Sequence, residues 1–431
     1  MKKKIAVISL GCPKNWVDTE LMVGLLKATG EVELVSSLEA ADVILVNTCG
    51  FITPAKEESI DEILNAIEAK KQSPDKKVVV AGCLYQRYKE ELKRELPEVD
   101  AFIGVNELLK SVERILNRKA AVRKPYLYRE VLTPPHLAYL KIAEGCSNAC
   151  TYCAIPIIRG PLKSRPVNEV VEEAKRLAER GVKELYVIAQ DTTAYRRDFG
   201  EEKALIKLLE QLEKVEGIEW IRLMYTYPSH ITDNLIDYMA SSEKLVKYID
   251  VPLQHINDKV LASMGRKYTR ASAEKLLEKL RLRVPGIAIR TTFIVGFPTE
   301  GEAEFEELHT FIKEFKFDWA GFFKYSREEG TAAYRLGDLP EELKDSRLNL
   351  LEETQFWIYE ELHRSLVGKR LKLIVDSPSS DMPGFVEARS YRNAYEIDGI
   401  VYLKGNHTPG KIVEAKVTGL ASNVDLTAEP L

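Results

Sequence analysis

Short apolar runs alternate with longer amphipathic ones through the first 118 residues. Ile5 to Leu10, Val43 to Asn47, Val78 to Gly82 and Ala101 to Gly104 have the length and β-branched content of strands. Between them, Trp16 to Thr29, Ala55 to Lys70, Gln86 to Leu96 and Glu107 to Leu116 repeat apolar positions at helical spacing, with Asn15 placed as an N-cap. This βαβ succession predicts a parallel sheet with helices on both faces.

Arg123 to Pro135 is basic, aromatic and proline-rich without periodicity, and reads as a linker. The alternation then resumes with strands at Ala138 to Ala143, Glu184 to Ala189, Glu219 to Met224, Tyr248 to Val251, Ile287 to Val295 and Trp319 to Phe323. Helical patterns separate them at Val167 to Glu179, Ala204 to Lys214, Ala273 to Leu282 and Glu302 to Phe315. About six such repeats predict a full or partial α/β barrel. From about Leu366 the pattern becomes short β runs, Arg370 to Val375, Gly384 to Ala388, Ile400 to Leu403 and Lys411 to Val417, broken by Pro, Gly and Asn turns. A small all-β barrel fits that pattern. The expected divisions are residues 1–120, a linker at 121–136, 137–363 and 364–431.

Composition adds little to this picture beyond what it excludes. The 62 basic and 66 acidic residues leave a net charge of −4, so the chain as a whole gives no sign of binding nucleic acid or membrane. Met1 to Lys4 followed by Ile5 to Leu10 resembles a signal peptide, but its apolar run is shorter than the roughly 7 to 15 residues an export signal needs. No segment approaches the ~18 uninterrupted apolar residues of a membrane span. The expectation is a soluble, cytoplasmic protein.

The chemistry lies in six cysteines. Disulfides are not expected in a chain without an export signal. Cys146, Cys150 and Cys153 form a C-x₃-C-x₂-C loop directly after a predicted strand. Three thiolates so close together can each hold a different iron of one [4Fe–4S] cube and leave the fourth iron open. An open iron can chelate the amino and carboxylate groups of S-adenosylmethionine and reduce its sulfonium, giving a 5′-deoxyadenosyl radical. Structural zinc is the alternative, but its sites normally use four ligands in two pairs, and the fourth is missing here. Cys12, Cys49 and Cys83 lie 37 and 34 residues apart, a spacing without meaning of its own. Each, however, follows a predicted strand of the first domain, where the ends of a parallel sheet converge on a ligand-binding edge. Gly11, Pro13, Gly50 and Gly82 beside them permit tight turns over a bound group. A second open-site cluster is expected there, against the plain alternative of three unrelated core thiols.

At these residues the sequence resembles the methylthiotransferase branch of the radical S-adenosylmethionine superfamily over essentially its whole length. The likeness rests on the C-x₃-C-x₂-C loop, its continuation Ala154-Ile155-Pro156-Ile157-Ile158-Arg159-Gly160, and Ser164-Arg165-Pro166. The family joins an N-terminal cluster domain, a radical barrel and a C-terminal TRAM β-domain. Within the branch, Ile8 to Asn15, Asn47 to Ile52, Ala189-Gln190-Asp191-Thr192 and Tyr225-Thr226-Tyr227-Pro228 are similar to the group that acts on an aspartate of the twelfth protein of the small ribosomal subunit. The transfer-RNA enzymes of the branch usually carry Cys-Gln-x-Asn in the first motif and a Ser-Pro-His-Pro type segment in place of the tyrosine-proline one. Asn393 to Gly399 departs from the Asp-Ala-Pro-Glu run common in the ribosomal-protein group.

The resemblance implies two [4Fe–4S] clusters held by the six cysteines. One S-adenosylmethionine donates a methyl group to sulfur at the N-terminal cluster, and a second yields the radical that takes a hydrogen from the aspartate β-carbon. An electron donor and a sulfur source, neither legible in the sequence, are implied partners. Methylthiolation of a transfer-RNA adenosine and a non-enzymatic iron–sulfur carrier remain the alternatives.

Other motifs carry plainer readings beside the functional ones. Gln190 and Asp191 follow a barrel strand, the end where active sites collect, and are candidates for the methionine or ribose part of S-adenosylmethionine. Arg290 lies on the strand leading to Gly296-Phe297-Pro298-Thr299-Glu300, whose Gly296 could admit adenine or its sugar, or simply turn the chain. Tyr152 holds the position that lies by adenine in the superfamily. His255 is read as a hydrogen-bonded core histidine. From His363 to Leu431 nine Lys and Arg face eight Asp and Glu, a near-neutral balance that suits docking on protein better than on RNA.

Overall fold

The computed structural model describes residues 2–119 and 122–431. The expected boundary between the first domain and the linker, at 120/121, lies outside the described residues. The first sheet has five parallel strands in the order Val32–Leu34, Lys3–Ser9, Val43–Thr48, Lys77–Gly82 and Ala101–Ile103. Val43–Thr48 is buried along its whole length, as a strand covered on both faces must be. Ile44 and Val46 pack against Ile63 and Ile67 on one face, and Val43 and Leu45 against Met22 and Leu25 on the other. Lys3–Ser9, the stretch that resembles an export signal, is thus a strand. The edge strand Val32–Leu34 escapes the apolar pattern because three residues are too few to show a period.

The placement of Asn15 as an N-cap is corrected by the structure. The helix begins at Pro13, whose fixed φ suits a first helical turn, and Cys12 occupies the cap position in extended conformation. Asn15 instead donates from Nδ2 to the carbonyls of Leu10 at 2.8 Å and Thr48 at 3.2 Å, tying two cysteine-bearing loops together.

The central sheet is open and wholly parallel, with its six strands in sequence order from Leu137–Lys141 to Trp319–Lys324. It is therefore a partial barrel. Leu140, Val187, Ile221 and Ile289 face the helices that cover its outer side. Tyr139, Tyr186, Trp220 and Tyr248 face inward, where they meet Val17 of the first domain and Ile374 and Ala394 of the last. Among the described residues of this domain four α-helices have no counterpart in the apolar pattern: Ile155–Arg159, Asp233–Ser241, Asp258–Ser263 and Glu341–Arg364. The longest buries Lys344, Arg347, Gln355 and His363 alongside Leu351 and Ile358, so polar residues on its inner face erase the apolar period. The helix ends at Arg364.

The presumed linker is an ordered strap. Pro125–Tyr128 forms a 3₁₀ turn, and the buried Arg129 pairs with Glu20 at 2.6 Å and Glu173 at 2.8 Å. The C-terminal strands Arg370–Pro378, Phe385–Ser390, Val401–Lys404, Leu426–Pro430 and Ile412–Leu420 close into a barrel. Arg389 from that barrel reaches Glu184 of the central sheet at 2.8 Å, and Glu184 also holds Arg222 at 3.0 Å. On the opposite side, Glu328 fastens the first domain through Arg87 at 2.7 Å and Lys56 at 2.9 Å. Among the described residues no helix is long and apolar enough to cross a membrane.

Candidate active site

The loops that follow the strands of both parallel sheets face one another across a cavity of about 330 Å³. All six cysteines line it, and all six are free thiols. Larger grooves exist among the described residues, of about 630 Å³ beside Gly24 and Arg180, 550 Å³ beside Phe323 and 490 Å³ beside Gly217, and these three contain no thiol.

Local backbone geometry sets the thiols in place. Gly11 has φ +83°, and a Cβ there would lie 2.7 Å from Cβ of Cys49, so only glycine lets the first two loops touch. The Ser59 hydroxyl brackets Cys49, accepting from its N–H and donating to its carbonyl, both at 2.9 Å. Cys83 opens the short helix Cys83–Arg87. In the second domain Gly145, at φ +70°, passes so close to the Pro161 carbonyl that a Cβ would approach it to 2.1 Å. The amide of Cys146 donates to Gly160 and that of Thr151 to Met264, which fixes the three-cysteine loop at both ends.

A buried charge network joins the two halves. Arg159 reaches Glu144 Oε1 at 2.9 Å and Asp18 Oδ2 at 3.0 Å from one nitrogen, and Asn15 Oδ1 and Cys83 Sγ, each at 3.2 Å, from another. Lys141 pairs with Glu144 at 2.7 Å and also with Asp18. On the other side Arg266 donates to the Pro252 carbonyl at 2.6 Å, lies 3.6 Å from Cys150 Sγ and stacks over Tyr227.

Of the residues singled out from sequence, Tyr152, Gln190 and Arg290 lie on the cavity wall with the cysteines, whereas Asp191 and Gly296 do not. Asp191 stands behind Asn148, accepting from its side chain at 2.8 Å, with His230 at 2.9 Å and Thr193 at 2.6 Å on the same carboxylate. Burial alone would raise its pKa; the bonds from His230 and Thr193 outweigh that and hold it below its usual range. Gly296 faces Lys344, whose Cγ lies 2.2 Å from where its Cβ would be, and its N–H is bonded to Glu300. His255 is a buried core histidine bonded to Glu300 at 3.1 Å. Lys14, Asn148, Asp250 and Arg266 also line the cavity and were not legible as site residues. Asp250 and Arg266 sit outside any recognisable motif, and only the parallel register of their strands and loops brings them to this edge.

Arg290 links the cavity to the C-terminal barrel, pairing with Asp250 at 3.2 Å and Asp398 at 3.4 Å. Burial pushes the Asp398 carboxyl up to about 6, against Arg290 and the bonds from Ala394 N–H and Tyr248 O–H. Its pKa is thus higher folded than unfolded, where a carboxyl titrates near 3.9, so the folded state holds the proton more tightly. Stability is therefore gained below about pH 4 and lost as pH rises through about 6, by about 3 kcal/mol in all. Asp398→Asn, neutral throughout, is expected to remove that change. Denaturant unfolding of both proteins from pH 4 to 7 checks it, and an unchanged difference between them over that range refutes it.

Among the described residues no three His, Cys, Asp or Glu side chains gather closely enough for a single metal ion. The thiols surround a space instead, which suits a cluster with iron at several corners. Burial pushes Cys83 and Cys153 up to about 12, with Arg159 opposing it at Cys83 and the Ile155 amide at Cys153. Such thiols ionise at neutral pH only on metal binding. At Cys12 burial also raises the pKa, but Lys14 and Arg159 outweigh it and the net shift is downward. Gln190 donates to Glu144 at 2.9 Å while its Oε1 is buried with no partner, an acceptor left for a donor in the cavity.

Comparison with known proteins agrees with this architecture. The Radical SAM superfamily profile matches residues 140–312, that of Uncharacterized protein family UPF0004 residues 4–104, and the TRAM domain residues 367–431. Radical S-adenosylmethionine methyltransferase TsrM from Kitasatospora setae superposes with a TM-score of 0.55 at 15% identity, covering 77% of each chain. The cobalamin-dependent S-adenosylmethionine radical enzyme OxsB gives 0.54 at 13% identity, over 83% of this chain and 58% of the other. At such identities the likeness concerns the fold alone. Fold and profiles together define a radical SAM protein with a TRAM domain.

Full-length relatives narrow this further. The ribosomal protein uS12 methylthiotransferase RimO of Aquifex aeolicus is 48% identical over 97% of this chain and 95% of its own. That of Sulfurihydrogenibium sp. is 45% identical over 99% of both. The chain belongs to the RimO family of radical SAM methylthiotransferases.

Proposed function

We propose that this protein adds a methylthio group to the β-carbon of an aspartate in ribosomal protein uS12. The observation that carries the reading is the opening of two separate cysteine triads onto one cavity, because transfer of sulfur to an unactivated carbon needs the sulfur and the radical source within reach of the same atom.

Cys146, Cys150 and Cys153 would hold one [4Fe–4S] cluster and Cys12, Cys49 and Cys83 the other. Bound there, the groups supply one-electron cleavage of S-adenosylmethionine at the second triad and an open iron site for sulfur at the first. Tyr152, Gln190 and Arg290, on the same wall, are the proposed S-adenosylmethionine contacts. Asp191 acts through Asn148, which it orients. Arg159 and Lys141 keep the two halves of the cavity in register and neutralise Asp18 and Glu144. Phe51, Ile155 and Ile158 make part of the wall apolar, which favours exclusion of water from a reactive intermediate. The near-neutral C-terminal barrel suits a protein substrate, an electron donor and a sulfur source must come from outside, and a ribosomal target places the enzyme in the cytoplasm.

The test is anaerobic reconstitution with iron and sulfide, followed by incubation with reductant, S-adenosylmethionine and, in parallel, a uS12 peptide or transfer RNA. About eight irons per chain, 5′-deoxyadenosine and a methylthio mass gain on the peptide are expected. A mass gain on RNA alone overturns the substrate, and iron without 5′-deoxyadenosine leaves a carrier.

A further inference from the structure

We propose that Asp398, a residue of the C-terminal barrel, is a positioning residue for Arg290 and through it for S-adenosylmethionine, an assignment that rests on the reading of Arg290 as a contact for that molecule. Asp398 lies in the loop between the strands Phe385–Ser390 and Val401–Lys404, whereas Arg290 belongs to the strand Ala288–Val295 of the central sheet and lines the cavity. The guanidinium is held at two of its nitrogens. Nη1 donates to Asp250 Oδ1 at 3.2 Å, and Nε stands 3.4 Å from Asp398 Oδ1. Neither contact uses Nη2, which lies beside Gly321, where even a Cβ would be 3.6 Å away and no side chain covers it. A planar guanidinium fixed at two corners cannot swing, so its third nitrogen is aimed.

The chemistry of Asp398 shows what its charge is for. The side chain is 1% exposed. Its Oδ2 accepts from the Tyr248 O–H at 2.7 Å and the Ala394 N–H at 2.8 Å, two bonds that the oxygen of an asparagine amide would make equally well. Its Oδ1 is buried without a hydrogen-bond partner among the described residues and faces Nε of Arg290. Burial pushes the carboxyl up to about 6, so at pH 7 it is mostly ionised and the fold is less stable for it. A buried charge that the barrel's own bonds do not need is therefore directed at the arginine.

The loop that carries Asp398 is clamped. The Tyr395 N–H donates to the Tyr186 hydroxyl of the central sheet at 2.8 Å, Asn393 Nδ2 donates to the Gly399 carbonyl at 2.7 Å, and a Cβ at Gly399 would come within 1.9 Å of the Val424 carbonyl. Docking of the C-terminal barrel thus sets the direction of a side chain on the cavity wall, and the barrel completes the site as well as presenting a surface to substrate.

The test is calorimetric titration of the reconstituted, unreduced full-length enzyme with S-adenosylmethionine at pH 7, for the wild type, Asp398→Asn, Arg290→Met and the double variant. Asparagine keeps an oxygen for Tyr248 and Ala394 but turns an amide N–H toward Nε, donor against donor. Affinity is expected to fall about tenfold in Asp398→Asn and at least as far in Arg290→Met. The double variant should bind no more weakly than Arg290→Met, because residues that act as a unit do not add. The unfolding midpoint of Asp398→Asn at pH 7 should equal or exceed that of the wild type. Wild-type affinity in Asp398→Asn overturns the assignment while leaving Arg290 as a contact. So does a lower midpoint in that variant, since the carboxylate would then hold the barrel in place, or a loss that adds in full to that of Arg290→Met. Unchanged affinity in Arg290→Met overturns the contact and the positioning together.

Discussion

Alanine at Cys153 is expected to lower 5′-deoxyadenosine formation to background, a loss of more than about 10⁴-fold, while alanine at Cys83 leaves that reaction running and ends methylthio transfer. The asymmetry follows from the separation of the triads. Cys153 shares its loop with Cys146 and Cys150, and no thiol of the first domain can replace it without breaking the loop fixed by the Cys146 and Thr151 amides. Cys83 belongs to the first domain, on a helix that starts directly after a strand of the first sheet. Each variant should keep about half the iron of the wild type, about four per chain. Iron analysis, 5′-deoxyadenosine yield and peptide mass, measured on the same preparations, check the split. If Cys83→Ala also stops S-adenosylmethionine cleavage, the triads do not work as separate centres.

Arg159→Met is expected to be the most damaging change to the chain outside the cysteines. Arg159 lies in the helix Ile155–Arg159, just past the second triad, yet its side chain reaches Cys83 and Asn15 of the first domain. Methionine fills similar volume but leaves Asp18 and Glu144 to share Lys141 as their remaining cation. Breaking one member of a buried ion network costs about 3–5 kcal/mol, because the partners keep their desolvation and lose their counter-charge. A lower midpoint in thermal or denaturant unfolding should accompany loss of iron from the first triad before the second. Arg159→Lys, which keeps the charge but cannot span four acceptors with one planar fork, should fall between the two. A variant as stable and as iron-rich as the wild type would mean that the two domains are held together elsewhere, as at Glu328.

The strongest periodic segments were legible because burial and spacing agree in them. Val43–Thr48 and Val78–Gly82 of the first sheet, and Val167–Glu179 of the second domain, carry their apolar residues on the faces they bury. The helix Glu341–Arg364 was not legible, since its inner face holds Lys344, Arg347 and Gln355, which are polar by composition and buried only because Asp338 and Glu341, Glu300 and the Phe317 carbonyl respectively await them. Asn15 misled for a related reason. Its residue type suits a cap, but its side chain satisfies carbonyls of two loops distant in sequence.

By itself the sequence determined the sheet-and-helix order, the three-part organisation and the identity of the six thiols, because these depend on local periodicity and on residue types whose chemistry does not vary with context. The tertiary structure alone decided which charges meet. That Arg159 belongs with Cys83 and that Arg290 lies between Asp250 and Asp398 are consequences of parallel register and domain docking, which bring residues far apart in the chain within a few ångströms at a sheet edge. Electrostatic pairing depends on distance in space and on desolvation, and neither is written in the spacing of residues along a chain.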